Sequence, residues 1–220
     1  MMLWHKAWLE SRVRFLLGVT MMTAVCAYSV YAHRSAYQGI VRNVFMVLCF
    51  LLGVGGLLRE RAVGTAPFTL ALPVSRVRLM ATRAAVGWLE LVALAFVPLM
   101  IAMSLSPLVG DRFGIGQGVR VSAMWVTGGS ALLAVAFLAS SLFAGEYTAF
   151  VIAWIVLFAH TIGTQLARLA RPALLPYLFT VQEIMSGFRG PVPSTITAAL
   201  VVVTCALVAS AVLVIDQKDF

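Results

Sequence analysis

The sequence predicts an all-α integral membrane protein, and three observations carry that reading. The 220 residues are 62% hydrophobic and only 11% charged, whereas a soluble domain of this size carries about 25% charged residues. The mean hydropathy is +1.00, and the apolar residues fall into six runs, at 15–32, 43–58, 84–106, 121–144, 148–167 and 195–215. A spanning helix needs about 17–25 such residues at about 1.5 Å each. The formal charge of +8 sits beside those runs, where basic residues set membrane topology, so nucleic acid is not an expected partner. The length leaves no room for a second soluble domain, and residues 1–220 read as a single transmembrane domain of six helices.

Taken in order, residues 1–14 come before the first apolar run. They are too long and too amphipathic for the start of a cleaved signal peptide. Leu3, Trp4, Ala7 and Trp8 share one helical face, while Lys6, Glu10 and Arg14 recur every fourth residue on another. This pattern favours an interfacial helix over residues 3–14, with membrane lipids as its partner, over a simple extension of the first spanning helix. Residues 15–58 hold helices 1 and 2. The second run is short, so its helix is expected to begin near Ile40, with Arg42 and Arg59 snorkelling to the two surfaces. Residues 84–167 hold helices 3 to 5, and 195–215 hold helix 6. The glycine-rich segment 107–120 reads as a flexible outer connector. Residues 168–194 form a long extracytoplasmic loop, semi-apolar between prolines 172, 176, 191 and 193, which suggests short helices on the outer leaflet.

Positive charge orients the chain. Lys6, Arg12, Arg14 and the five arginines of segment 59–83 would face Arg34 and Arg42 across the first two crossings. Early segments dominate this rule, so both termini and segment 59–83 are expected in the cytoplasm, in a plasma or inner membrane.

Few polar residues enter the spans. Glu90 lies about two turns into the third helix, where it would either line a substrate path or pair with a cytoplasmic arginine, and pairing is preferred. His160 stands mid-helix in the fifth run and reads first as a hydrogen-bonded packing histidine, with a place on the pathway as the alternative. Ala136, Ser140 and Ala144, with Gly128 and Gly129, allow close helix approach, chiefly within the chain and otherwise in a homodimer. Cys26, Cys49 and Cys205 are far apart within apolar runs and read as small buried apolar residues. No metal-ligand spacing and no catalytic constellation is present in the sequence.

The most punctuated polar stretch is 59–83, RERAVGTAPFTLALPVSRVRLMATR. Thr65 can cap a helix start and Pro67 suits its first turn. Phe68 to Leu72 make about a turn and a half before Pro73 stops it. Ser75 can then cap a second start that continues through Arg76, Arg78 and Arg83 into the third spanning helix. The short helix would present Phe68, Leu70 and Leu72, apolar anchors of the kind that fill a partner's groove.

Glu60, Gly64-Thr65, Leu70-Ala71-Leu72-Pro73-Val74-Ser75-Arg76, then Arg78 and Leu79, resemble the signature between helices 2 and 3 of permeases of ATP-binding-cassette (ABC) type-2 transporters. The N-terminal Trp4, Lys6, Trp8, Glu10, Ser11, Arg12 and Arg14, and the six-helix layout, are similar too. The resemblance implies that the segment is a cytoplasmic coupling helix seated in a cleft of a separate ABC ATPase subunit. Gly64, Thr65, Phe68, Leu70, Leu72 and Pro73 would form or frame the docking surface, with Glu60 and Arg76 orienting it. It also implies an exporter built from two such subunits, as a homodimer or with a paralogous permease. The chain carries no Gly-x-x-x-x-Gly-Lys-Ser/Thr loop, and its only lysines are Lys6 and Lys218. ATP and Mg²⁺ are therefore expected on the partner, with no cofactor in this chain and no catalytic role of its own. The rival readings are an integral membrane enzyme or protease, and a channel-like protein that works without an ATPase.

Overall fold

The computed structural model describes residues 2–31, 36–54, 75–109, 115–143 and 194–217, with scattered positions between 148 and 166. Among the described residues only Val54, Ser75 and Phe143 lie outside helices, and no strand occurs. The helices are α1 (Met2–Tyr31), α2 (Ala36–Gly53), α3 (Arg76–Val109), α4 (Ile115–Leu142) and α5 (Ser194–Gln217). The described positions between 148 and 166 are helical as well. Val77–Leu105, Gly118–Leu142 and Thr197–Gln217 are long and apolar enough to cross a bilayer, and Ile40–Gly53 is a shorter apolar helix. This is the architecture of a helical membrane protein.

Several boundaries differ from the sequence expectation, each for a local reason. α1 is one unbroken helix of 30 residues, so segment 3–14 is its N-terminal part and not a separate interfacial helix. Residues 9–17 contain neither glycine nor proline to break the ladder. α2 starts before Ile40, at Ala36, and stops at Gly53, where Gly53, Gly55 and Gly56 follow in close succession and weaken helix propagation. α3 starts after Ser75, whose hydroxyl accepts the Arg78 amide at 3.3 Å, the cap anticipated from the sequence. It continues through Pro98 and Pro107 to Val109. α4 begins at Ile115, so the expected connector 107–120 shrinks to residues 110–114 between the two helices. The segment 168–194, expected to form an outer loop, lies outside the described residues apart from Ser194, which opens α5.

Contacts between helices fix their directions. Arg14 reaches the carbonyls at the C-terminal end of α2, and Gly18 faces Leu48, so α1 and α2 are antiparallel. Phe45 stacks on Trp125 with ring centroids 4.9 Å apart, and Gly53 abuts Leu133 and Ala136. α2 and α4 therefore run parallel. Leu91 packs at Gly129 and Gly87 at Leu133, so α3 is antiparallel to α4. Phe45, Cys49, Phe50, Leu91, Leu94, Trp125 and Leu133 fill the central core. A second cluster joins Leu79 and Met80 of α3 with Phe137 of α4 and Ala211 and Ile215 of α5, and Leu3 of α1 packs on it. The start of α1 and the end of α5 thus lie at the same end of the bundle.

Gly129, Ala136 and Ser140 of α4 pack within the chain, and Ala144 lies outside the described residues. Gly129 receives Phe45, Cys49 and Leu91, and Ala136 and Ser140 are buried. Cys26 and Cys49 are buried as expected, but Cys205 is exposed. Among its described residues α5 is mostly exposed and buries only Ala211 and Ile215, and an apolar thiol needs no protein cover where acyl chains are the solvent.

Candidate functional site

The described part of the molecule concentrates its polar contacts at one end, where α1 crosses α3 and reaches the end of α2. α1 supplies Lys6, Glu10, Ser11 and Arg14 from successive turns, because residues three and four apart share a helical face. α3 supplies Arg83 and Glu90, two turns apart, from the same logic.

Arg83 Nη2 donates to Glu10 Oε2 at 2.7 Å, and Lys6 approaches the other carboxylate oxygen of Glu10 at 3.7 Å. The Arg83 side chain is 9% exposed and that of Glu10 39%, so this pair spans the boundary between packed interior and solvent. Deeper in, Ser11 Oγ donates to Glu90 Oε1. Glu90 is 3% exposed, and its Oε2 is buried without a hydrogen-bond partner. The Arg14 charge is near enough to act on the same carboxylate. Arg14 Nη1 also donates to the Val54 carbonyl and, at 3.4 Å, to the Leu51 carbonyl. Leu51 lies in the last turn of α2 and Val54 directly follows it, the end where helix carbonyls run out of intrahelical donors. A cation there also meets the negative end of the helix dipole.

Ser11 has one hydroxyl proton and three acceptors in reach: Glu90, the Ala7 carbonyl at 3.1 Å and the Trp8 carbonyl at 3.3 Å. That choice makes the pair adaptable. A Glu90 carboxylate accepts the Ser11 proton, whereas a Glu90 carboxylic acid can donate to Ser11 Oγ, which then donates to Ala7. Other hydroxyls, such as Thr82, Ser140 and Thr204, simply return a hydrogen bond to their own helix. Ser11 is the described hydroxyl that links α1 to a buried carboxylate.

Of the residues singled out from the sequence, Glu90 lies in this cluster. Its partner is Ser11 with Arg14 nearby, while Arg83, the nearer arginine in sequence, goes to Glu10. Arg76 is the first residue of α3, with its side chain outside the described residues. Glu60, Gly64, Thr65, Phe68, Leu70, Leu72, Pro73 and His160 also lie outside them. What sequence reasoning missed is the role of Ser11 and Arg14. The available signal was depth: Arg14 is the last charged residue before the apolar turns of α1, as Glu90 is the deepest in α3. Among the described residues no group of three or more His, Cys, Asp or Glu side chains could hold a metal ion. Comparison with known proteins finds no matching family model and no matching curated protein.

The cluster joins α1, α3 and the end of α2 beside segment 55–74. Arg14 holds the helix that enters the segment, and Glu10 and Ser11 hold the helix that leaves it. Chemically the site is a clamp of directional contacts.

Proposed function

We propose that this chain is the membrane-spanning subunit of an ABC type-2 transporter, an exporter driven by a separate ATPase subunit. The observation that carries the proposal is the punctuated sequence from Glu60 to Arg78 between two apolar helices. Its Gly-Thr, Pro and Leu-x-Pro-Val-Ser-Arg elements exceed what a topology-setting basic loop requires. The polar clamp supports the reading, since a load applied to residues 55–74 would reach α2 and α3 together and pass to α1 through Arg14 and Glu10. Rigid-body movement of packed helices is how such a load becomes a switch between inward- and outward-facing states.

The layout proposed is six crossings with both termini and segment 59–83 in the cytoplasm. The shared end of α4 and α5 supports it, because the intervening chain must then cross the bundle an odd number of times. The proposed crossing within that stretch is the apolar run 148–167. Two copies, or one copy and a paralogue, would enclose the pathway, and ATP and Mg²⁺ would bind to the ATPase partners.

Leu70→Asp together with Leu72→Asp tests the assignment. The double variant should lose co-purification with the ATPase and lose ATP-dependent transport, while the permease remains in the membrane at wild-type level. Retained association and transport would remove the docking role.

A further inference from the structure

The exposed face of the first turns of α1 carries a second kind of site. We infer that Trp4, Trp8 and Arg12 form a binding surface for the phosphate headgroup of an anionic phospholipid. α1 has 30 residues and is about 45 Å long at about 1.5 Å per residue, against about 30 Å of hydrocarbon core. Its apolar turns begin at Phe15, so the turns before it stand at headgroup depth.

The two sides of those turns differ sharply. The inner side, with Ala7 buried and Ser11, Arg14 and Glu10 engaged with neighbouring helices, is consumed by the clamp. The outer side exposes Trp4, Trp8, Leu9, Val13, Leu16 and Leu17. Arg12 is exposed in the middle of it and, among the described residues, has no hydrogen bond or ion pair. Lys6 and Arg14, the other two basic residues of these turns, are both engaged.

Position explains why the occupant is a lipid phosphate. Residues 4, 8, 12, 15 and 16 fall on one helical row, so Arg12 stands between the indoles and the aliphatic side chains. Trp8 and Phe15 touch edge to face with centroids 5.5 Å apart and bracket the turn that carries Arg12. Indole rings prefer the headgroup layer, and the leucines below face acyl chains. A guanidinium at that boundary has a fork that fits two phosphate oxygens. One ligand satisfies all three levels: a phosphate with acyl chains attached below it.

The test uses the full chain, titrated with phosphatidylglycerol or phosphatidylcholine and read by native mass spectrometry. The wild type should retain phosphatidylglycerol in preference to phosphatidylcholine. Arg12→Gln should weaken phosphatidylglycerol binding about fivefold and leave phosphatidylcholine unchanged, with Arg12→Lys recovering part of the loss. Arg78, exposed on α3, provides the control, and Arg78→Gln should keep the preference. Equal binding by wild type and Arg12→Gln would overturn the site. So would equal losses in the Arg12 and Arg78 variants, which would mean diffuse charge. Lipid-independent disulfide cross-linking of Arg12→Cys between two copies would give the face to a second copy instead and also overturn the inference.

Discussion

The α2–α4 seam and the α1–α3 clamp hold the same bundle by opposite means. Along the seam, parallel helices approach through Gly53, which faces the Leu133 backbone and Ala136, and through Gly129, which faces Phe45, Cys49 and Leu91. At the clamp, α1 and α3 meet through two carboxylates, a hydroxyl and a guanidinium group, and the Arg14 guanidinium ties α1 to the end of α2. A close-packed seam has one good arrangement and resists displacement. A set of charged donors and acceptors has several, as the three acceptors within reach of Ser11 illustrate. The rigid element and the adjustable element therefore lie side by side, and the adjustable one sits beside segment 55–74.

The largest effect should come from breaking the seam. A Cβ at Gly53 would lie 2.6 Å from the Leu133 carbonyl oxygen and 2.7 Å from the Ala136 Cβ, and the oxygen belongs to a helix backbone that cannot turn aside. Gly53→Ala should cost about 3 kcal/mol in unfolding measurements in mixed micelles. At Gly129 the neighbours are the tips of Cys49, Phe45 and Leu91 at 3.0–3.2 Å, and Gly129→Ala should cost only about 1 kcal/mol. Equal costs would mean that α2 can slide on α4, and the contrast between seam and clamp would fail.

The inner half of the clamp should give an intermediate effect. A double-mutant cycle of Ser11→Ala and Glu90→Gln should return a coupling of about 1–2 kcal/mol, a range set by hydrogen bonds to charged groups and by measured pairs inside membranes. A coupling near zero would show that α1 and α3 are held by packing alone. On the proposed transporter reading, the same pair would sharpen the comparison in a transport assay, since Ser11→Ala should then reduce transport per ATP hydrolysed more than it reduces hydrolysis.

The smallest effect belongs to the outer half. Glu10 is partly solvated, so Glu10→Gln should change stability by less than about 1 kcal/mol, with the difference shrinking as salt rises. Salt-independent destabilisation well above that value would mean that the Arg83 side chain, 9% exposed, depends on Glu10 for its burial.

Much of the fold was legible because its causes are local. The apolar runs at 84–106, 121–144 and 195–215 correspond to α3, α4 and α5, since in hydrocarbon a segment must satisfy its own backbone hydrogen bonds and a helix does so without help. Ser75 announced the start of α3 for the same reason, because a cap is made within three residues. The use of Gly129 and Ala136 for close approach was also visible, as small residues at helical spacing have few other purposes in a span. The fate of residues 3–14 was less legible. Their amphipathic pattern fits a helix lying on lipid and equally a helix that gives one face to a neighbour, and composition does not separate the two.

The chain by itself determined an α-helical membrane protein, the positions of its main helices and the small residues through which they approach, because each follows from periodicity and the cost of unpaired backbone in hydrocarbon. Only the tertiary structure decided that α1 is continuous and leans on α3, that Glu90 meets Ser11 from 79 positions away, and that Arg14 closes the end of α2. Those contacts depend on which helix faces share a depth. That follows from how the helices stack, and no single segment encodes it.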